Sequence, residues 1–249
     1  QNAISENKGA ILYAHTSNYK IIGFTQEVEI DELINLSKIK RIPVLIDLGS
    51  GELMDYSGID ITNNIPIAKY IKMGASAISF SGDKLIGGPQ CGIICGKKRF
   101  INKMKNNSLY RALRCDKITI SMLENTLKTI YSYTSVSQNN LTYFLLNRSY
   151  EDLYNMGIEM ISKLDSRIID EYKIELAKSF VEAGSGSLPT KEIPSCAIVF
   201  NNSAKKVADK FRSKEACVLG YIRKNKLFID LKAIPQEDAD YFITIVNRI

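Results

Sequence analysis

The stretch SAISFSGDKLIGGPQ at residues 76–90 decides how this sequence can fold, and the apolar segment CGIIC follows it at residues 91–95. Its first six residues alternate as the two faces of a strand do, and Gly82 ends the alternation. Lys84 follows, before a turn at residues 87–89 and a second apolar strand. The pattern predicts a lysine on a tight, hairpin-like loop between two buried strands. An amine so placed loses hydration and becomes a better nucleophile toward a carbonyl carbon, although a lysine at a loop tip is more commonly a solvated surface residue.

Composition is that of an ordinary globular protein. The 249 residues, 45% hydrophobic and 24% charged, can bury the core of one large domain or of two smaller ones. The apolar runs are too short to cross a bilayer, and the N-terminus lacks the order of a signal peptide, so we expect a cytoplasmic protein. Because the chain begins at Gln1 rather than Met, we expect it to be the C-terminal portion of a longer protein.

Charge and cysteine usage narrow the possible partners. The net charge of +6 favours an anionic partner, which could be a phosphate cofactor, a phosphorylated substrate or nucleic acid. The five cysteines are scattered and contain no C-x-x-C pair. This pattern supports neither a disulfide framework nor a zinc site, and we interpret the cysteines as small buried apolar residues.

Strands and helices alternate in the first third of the chain. Strands are predicted at residues 10–15, 43–47 and 76–81. Thr25 is expected to cap the first intervening helix, and Pro66 is expected to start a second that ends at Gly74. This order predicts an α/β fold with a parallel sheet covered by helices.

Three polar side chains are expected to meet at one edge of that sheet. His15, Asp47 and Lys84 each lie at or just past the carboxyl end of a predicted strand. Ligands of parallel sheets collect at this edge. The convergence therefore favours a functional role for Lys84, while His15 can equally be a hydrogen-bonded structural residue.

The rest of the chain changes character near residue 166. A basic helix, a loop or short turn and two amphipathic helices are predicted at residues 97–105, 108–114, 119–133 and 152–164. An α+β pattern follows, with strands at 172–182, 195–201, 217–222 and 226–231 and helices at 204–211 and 238–246. We expect the second half of a large domain at residues 1–135, connecting helices at 136–166 and a small C-terminal domain at 167–249.

The residues near Lys84 suit one aldehyde cofactor. If Lys84 forms an imine, pyridoxal phosphate also needs a carboxylate near its pyridine nitrogen and donors for its phosphate. Asp47 could be the carboxylate, and Ser81, three residues before the lysine, could donate its hydroxyl. The alternatives are that Asp47 caps the turn at residues 49–51 and that Ser81 is an ordinary turn residue.

With these motifs the sequence resembles the bacterial selenocysteine synthases, the L-seryl-tRNA(Sec) selenium transferases. The matching segments are HTSNY at 15–19, GFT at 23–25, Pro43 with DLGSG at 47–51, FSGDKLIGGPQ at 80–90, RALR at 111–114, DK at 116–117, GSLP at 186–189 and IPS at 193–195. They run in order over nearly the whole chain. The resemblance implies a partial fold-type-I pyridoxal-phosphate large domain, like that of aspartate aminotransferase, and a small α+β domain.

The resemblance also implies roles for individual residues. Lys84 would be the lysine that forms the imine and takes part in catalysis, and Asp47 would be the partner of the pyridine nitrogen. Ser81, Gly82 and His15 would contribute to the cofactor site. Arg111 and Arg114 would hold the anionic selenium donor, a role that suits two guanidinium groups three residues apart, although an exposed basic pair is the alternative.

The implied reaction converts seryl-tRNA(Sec) to selenocysteinyl-tRNA(Sec) by loss of water and addition of selenium from selenophosphate. The implied assembly is a homo-oligomeric ring built from dimers with shared active sites. Members of the family also carry an N-terminal tRNA-binding domain and the first half of the cofactor domain, which these 249 residues do not contain.

Two departures from the family pattern leave alternatives open. Tyr221 and Lys232 stand where the family usually has arginine, and neither can form the bidentate contacts of a guanidinium. A related pyridoxal-phosphate lyase acting on a small amino acid or sugar acid is one alternative. A non-catalytic tRNA-binding remnant is the other.

Overall fold

The computed structural model describes residues 4, 9–15, 23–26, 28–53, 65–132, 139–183, 192–213 and 218–249. The chain forms two compact units, one comprising residues 1–144 and 182–191 and the other residues 145–181 and 192–249. The division proposed from the sequence, with connecting helices at residues 136–166, stays a prediction.

The first unit is built on a four-stranded sheet. Its strands are β1 (Ile11–Ala14), β2 (Val44–Asp47), β3 (Ala77–Ser81) and β4 (Gly92–Gly96), in that order across the sheet. The first three are parallel, and β4 runs antiparallel to β3. The predicted parallel sheet and the hairpin-like return after Lys84 are thus confirmed.

Six helices accompany this sheet among the described residues. They are α1 (Ile30–Lys40), α2 (Ile67–Met73), α3 (Lys98–Lys105), α4 (Leu109–Leu113), α5 (Lys117–Tyr131) and α6 (Leu141–Asn147). Pro66 precedes α2 and Gly74 ends it with a φ of 120°, as predicted. The prediction that Thr25 caps α1 is wrong, because the helix begins at Ile30 and the residue in the N-cap position is Glu29, whose backbone is extended.

One segment expected to be a loop or short turn is helical. Residues 109–113 form α4, and Leu109, Tyr110 and Leu113 lie at helical spacing along it and line one apolar cavity. The apolar side chains on this face stabilise the helix by packing around the cavity. The segment is too short for its sequence to show a helical pattern.

The core of the first unit lies against one face of the sheet. Val44, Ile46, Ile78 and Ile34 are almost completely buried, and Ile86 from the Lys84 loop joins the same cluster. Burial of an isoleucine of this size stabilises the folded state by about 1.5–3 kcal/mol. The Lys84 loop is therefore part of the packed structure of the unit.

The second unit is an antiparallel sheet with helices. Its elements are α7 (Tyr150–Ser162), α8 (Ser166–Tyr172), β5 (Ile174–Val181), β6 (Ile193–Phe200), α9 (Ala204–Ser213), β7 (Tyr221–Arg223), β8 (Lys226–Asp230), 3-10 turns at Leu231–Ala233 and Gln236–Asp238, and α10 (Ala239–Val246). The strand order is β5-β6-β8-β7. This arrangement confirms the predicted small α+β domain.

Local sequence explains the ends of two of these strands. The strand predicted from Tyr172 begins at Ile174, because residues 166–172 form a helix that Asp165 caps and Lys173 ends in the left-handed region. Lys224 and Asn225 have φ values of 50° and 61° between β7 and β8. Positive φ at both central residues is typical of the tight turn that joins two antiparallel strands. In the described part of the chain, no helix is long and apolar enough to cross a bilayer.

Candidate active site

The carboxyl ends of the three parallel strands lie side by side. Ala14 pairs with Asp47, and Asp47 pairs with Ser79. The N–H of His15 donates to the carbonyl oxygen of Asp47 at 2.8 Å, and the N–H of Leu48 donates to that of Ser79 at 3.0 Å. The backbones that follow the strands therefore start from one edge of the sheet, as the order of elements predicted.

Polar side chains gather on one face near this edge. The Oγ of Ser79 donates to Oδ1 of Asp47 at 2.8 Å. Ser81 lies two residues after Ser79 on the same strand and so on the same face, while Ile46 and Ile78 face the core. Asp47 is exposed, and its Oδ2 accepts no hydrogen bond from the residues that the structure describes.

The loop that carries Lys84 is closed by its own backbone. The N–H of Gly82 donates to the carbonyl oxygen of Cys91 at 2.9 Å, and the N–H of Gly88 donates to that of Gly82 at 2.8 Å. Within this ring, the N–H of Gly87 donates to the carbonyl oxygen of Lys84 at 2.9 Å. Few conformations satisfy all three bonds, so the position of the Lys84 backbone is well defined.

The loop after β2 is in direct contact with the end of β3. The N–H of Ser81, the last residue of β3, donates to the carbonyl oxygen of Gly49 at 3.2 Å. Gly51 has a φ of 73°, and a Cβ there would lie 2.9 Å from a ring carbon of Phe80. The loop and the strand end approach so closely that only glycine fits at position 51.

Lys84 is partly buried, between the exposed Asp83 and the buried Leu85. Its ammonium forms no ion pair with any residue in the described ranges. Because the Lys84 ammonium has no carboxylate partner among the described residues and its backbone is well defined, the amine is available to a ligand. The structure therefore brings together Lys84, Ser81 and Asp47 on contiguous backbone segments.

Gly82 has a steric role. It is buried, and a Cβ at this position would lie 2.6 Å from Sγ of Cys91 and 3.0 Å from the carbonyl oxygen of Pro89. Its N–H already donates to Cys91 and is not a free donor for a phosphate. Burial, together with Cys115 and Asp83, raises the pKa of the Cys91 thiol, so this sulfur acts as a neutral packing group.

His15 lies in a different place. It lines a cavity of about 170 Å³ with Glu29, Ser50, Glu52 and Tyr70, and this lining includes none of Asp47, Ser81 and Lys84. Burial, with contributions from Tyr13 and Glu52, raises the pKa of Tyr70 to about 12, so its phenol is neutral. The exposed His15 therefore borders this cavity, while its backbone stays bonded to that of Asp47.

The two arginines differ in their surroundings. Arg114 lines a cavity of about 510 Å³ with apolar residues of α4 and α5 and with Cys91, the strand neighbour of the Lys84 loop. Arg111 is exposed on α4. Neither forms an ion pair within the part of the chain that the structure describes. Arg114 is the better placed of the two to reach a ligand near Cys91.

The two positions that depart from the family pattern have internal partners. The Nζ of Lys232 donates to the carbonyl oxygen of Arg148 at 2.7 Å, and desolvation lowers the pKa of this ammonium. Tyr221 stacks on Phe228 with 5.3 Å between ring centroids. Both side chains are engaged within the second unit.

Two residues of the site are absent from the sequence predictions. Ser79 had a weak signal, since serines at 79 and 81 alternate along a strand. Asn140, whose amide bonds the carbonyl oxygen of Ile86, had no signal, because the two residues are 54 positions apart. The segments 16–19 and 186–189, which carry two of the family motifs, lie outside the described residues. Among the described residues, no group of three or more His, Cys, Asp or Glu could hold a metal ion.

Comparison with known proteins agrees with these motifs. The L-seryl-tRNA selenium transferase family matches residues 1–235. The L-seryl-tRNA(Sec) selenium transferase of Alkaliphilus oremlandii is 37% identical and aligns with 100% of this chain and 54% of its own length. That of Salmonella paratyphi A is 37% identical over 100% and 54%, and that of Clostridium botulinum strain Loch Maree is 33% identical over 98% and 53%. The chain spans about half the length of these relatives.

Among solved structures, a D-glucosaminate-6-phosphate ammonia-lyase is similar in fold. The TM-score is 0.60 at 16% sequence identity, over 99% of this chain and 58% of that one. The similarity at this identity concerns the fold alone. With the family match, it confirms that the chain has the predicted fold-type-I architecture in a partial form. The chain belongs to the L-seryl-tRNA selenium transferase family.

Proposed function

We propose that the protein containing this chain converts seryl-tRNA(Sec) to selenocysteinyl-tRNA(Sec), with pyridoxal phosphate as cofactor and selenophosphate as selenium donor. The observation that carries the proposal is the contact between the loop after β2 and the end of β3. The Ser81 N–H bonds the carbonyl oxygen of Gly49, which joins the backbone that leads to Lys84 to the backbone that leaves Asp47. Family membership supplies the substrate class.

The residues present fit the cofactor. Lys84 offers an amine without an ion-pair partner in the described ranges, and Asp47 offers Oδ2 while Ser79 holds Oδ1. Ser81 lies on the same face as Ser79, where its hydroxyl can donate to a phosphate. The bound cofactor would supply an electron sink for the carbon that loses a proton.

Each residue then has a definite task. The carboxylate of Asp47 would stabilise a protonated ring nitrogen of the bound cofactor, because a neighbouring negative charge favours the protonated form. Nζ of Lys84 would hold the cofactor and would act as the base that accepts the proton from Cα of the seryl group. The Cα proton and the Cβ hydroxyl of the seryl group are lost together as water, and selenium then bonds to Cβ while water cleaves its bond to phosphorus and phosphate is released. The hydroxyl of Ser81 would donate to the phosphate, and Gly82 is proposed to contribute indirectly, by letting the loop close against Cys91.

Arg114 and Arg111 are proposed to bind the oxyanion of selenophosphate. A guanidinium donates several charge-assisted hydrogen bonds to a phosphate-like group, and Arg114 opens onto the cavity beside Cys91. His15 is proposed as an outer contact of the cofactor site. The proposed partners are tRNA(Sec) charged with serine, selenophosphate and further copies of the chain in a dimer-based ring.

The cofactor assignment is tested by reduction with borohydride followed by peptide mapping. In the full-length protein, a pyridoxyl group is expected on Lys84 and absent in Lys84→Arg, which keeps the positive charge. Lys69→Arg, a change at an exposed lysine of α2, is the matched control and should label as the wild type does. Label-free Lys84 in the wild type would refute the assignment.

The substrate is tested separately with seryl-tRNA(Sec) and selenophosphate. Formation of selenocysteinyl-tRNA is expected, with Arg114→Gln raising the KM for selenophosphate about tenfold or more, since a charged hydrogen bond contributes about 1.5–3 kcal/mol. Turnover of free amino acids or sugar acids in place of the charged tRNA would identify the protein as a lyase. Labelling of Lys84 without any turnover would leave only a binding role.

A further inference from the structure

Asn140 is a buried polar residue that the proposed reaction does not use. Its side chain is 4% exposed, and it lies immediately before α6. Its Nδ2 donates to the carbonyl oxygen of Ile86 at 2.8 Å, and its Oδ1 accepts from the N–H of Tyr143 at 2.9 Å. One amide therefore connects the first turn of α6 with the loop that carries Lys84.

The chemistry of both partners requires an amide at this position. A backbone N–H can only donate and a carbonyl oxygen can only accept, so the orientation of the Asn140 amide follows from the Tyr143 and Ile86 groups that it contacts. An aspartate would offer two acceptors, and an apolar residue would offer neither group. The asparagine amide can cap a helix through its oxygen and donate to a neighbouring carbonyl through its nitrogen at the same time.

The loop packs directly against the segment that Asn140 begins. Gly87 has a φ of 69°, and a Cβ there would lie 2.9 Å from Oδ1 of Asn140 and 2.7 Å from Oγ1 of Thr142. On the strand side, the bond from Gly88 to Gly82 closes the same loop. The loop is thus held on the strand side by its own backbone and on the helix side by Asn140.

Lys84 is close to both attachments. The Gly87 N–H bonds the Lys84 carbonyl oxygen at 2.9 Å, and Ile86, the residue that Asn140 holds, is 1% exposed. A shift of the Ile86 carbonyl would change the turn at residues 84–87 and with it the direction of the Lys84 side chain.

We propose that Asn140 is a positioning residue that orients Lys84 by holding the carbonyl group of Ile86. The importance of this orientation for catalysis rests on the function proposed above, whereas the effect on the loop does not. Asn140 is expected to contribute no atom to the cofactor or the substrate.

The informative variant is Asn140→Asp in the full-length protein. The new carboxylate keeps an acceptor for the Tyr143 N–H and places a second oxygen against the Ile86 carbonyl. This pair repels when the carboxyl is ionised, and when the carboxyl is protonated its O–H can donate to Ile86. The loop should therefore loosen at pH 8.5 and recover at pH 5.5.

Two measurements follow this change. Hydrogen exchange of the 82–90 peptide, corrected for the intrinsic effect of pH, should be about tenfold faster than in the wild type at pH 8.5 and close to it at pH 5.5, since an unsatisfied buried group costs about 1–3 kcal/mol. The rate at which acetic anhydride acetylates Lys84 in a competitive labelling experiment should differ between the wild type and Asn140→Asp at pH 8.5. Neither readout requires turnover, and acetylation is measured on protein freed of cofactor, because an imine would block the Lys84 amine.

Asn201→Asp is the matched control. The amide of Asn201 also donates to a carbonyl oxygen at 2.8 Å, that of Lys173, within the second unit. This change should leave exchange of the 82–90 peptide unaltered. If Asn140→Asp does not fold, Asn140→Ser is tested instead, because it keeps an acceptor for the helix and is too short to reach Ile86, so its loop should exchange faster at both pH values.

Unchanged exchange at residues 82–90 in both Asn140→Asp and Asn140→Ser would overturn the proposal. A loop that loosens as expected in a protein whose Lys84 takes up no pyridoxyl group would uphold the positioning role and refute the proposed function.

Discussion

Asp47 and Ser79 are cross-strand neighbours at the end of the parallel sheet, and the Ser79 hydroxyl donates to Oδ1 of Asp47 at 2.8 Å. The bond fixes the position of one carboxylate oxygen. Because the carboxylate is planar and rigid, the direction of the other oxygen is fixed with it. A carboxylate that must meet a ring nitrogen gains from such orientation, because less conformational freedom remains to be lost on binding.

Ser79→Ala should weaken binding of pyridoxal phosphate several-fold without loss of folding. The alanine removes the donor that orients Asp47. A hydrogen bond to a charged group contributes about 1.5–3 kcal/mol, and part of this is regained when water bonds the exposed carboxylate instead. Cofactor titration followed by absorbance measures the change. Ser37→Ala, which removes a hydroxyl bonded to the Ile34 carbonyl in α1, should leave the affinity unchanged. Equal affinities in all three proteins would contradict the orienting role.

Gly82→Ala should distort the Lys84 loop. Its Cβ would lie 2.6 Å from Sγ of Cys91, and overpacking of this kind costs about 1–3 kcal/mol. Loss of cofactor affinity and a lower melting temperature are expected. Cys91→Ala in the same chain removes the sulfur and should restore part of both, although the contact of 3.0 Å with the Pro89 carbonyl remains. Absence of any rescue would show that the clash lies elsewhere.

Asp230→Ala should destabilise the second unit. The carboxylate of Asp230 accepts from the hydroxyls of Ser195 and of Ser179, the latter at 2.7 Å, and both serines are buried. Removal of the acceptor leaves two buried hydroxyls without a partner, at about 1–3 kcal/mol each. Denaturant unfolding measures the loss. Asp209→Ala, which breaks an exposed ion pair with Arg212 in the same unit, should change stability by less than about 1 kcal/mol.

The thiol of Cys196 should make stability fall at high pH. It is completely buried in β6, and burial raises its pKa to about 11 from the ordinary 9.0. The folded state then binds more protons than the unfolded state between these values, so the stabilisation is complete below pH 9 and is lost as pH rises toward 11. Two units of pKa correspond to about 3 kcal/mol.

The comparison is with Cys196→Ala, which shares all other titratable groups. From pH 9 to pH 11, the denaturation midpoint of the wild type should fall relative to that of Cys196→Ala. A difference that is constant over this range would mean that the thiol does not titrate differently on folding.

Many helices and strands of the first unit are determined by interactions between neighbouring residues, so they can be predicted from the sequence. Alternating residues at 76–81, the helix start at Pro66 and the helix end at Gly74 each act through the backbone conformations of a few neighbours. The strand-helix-strand order then requires a parallel sheet, and with it the placement of Asp47 and the Lys84 loop at one edge. The family motifs lie in these same short segments, so the predicted cofactor class could also be inferred from residue order.

Tertiary structure alone decided which of these groups meet. Strand register brought Ser79 against Asp47, and packing brought Asn140 against Ile86 across 54 residues. It also placed His15 at the border of a cavity, and it gave Lys232 internal carbonyl partners. Such contacts depend on the summed positions of several elements, and no short stretch of residues encodes them. Local preferences therefore determined the elements and the edge of the sheet, whereas long-range packing determined the partners of each side chain.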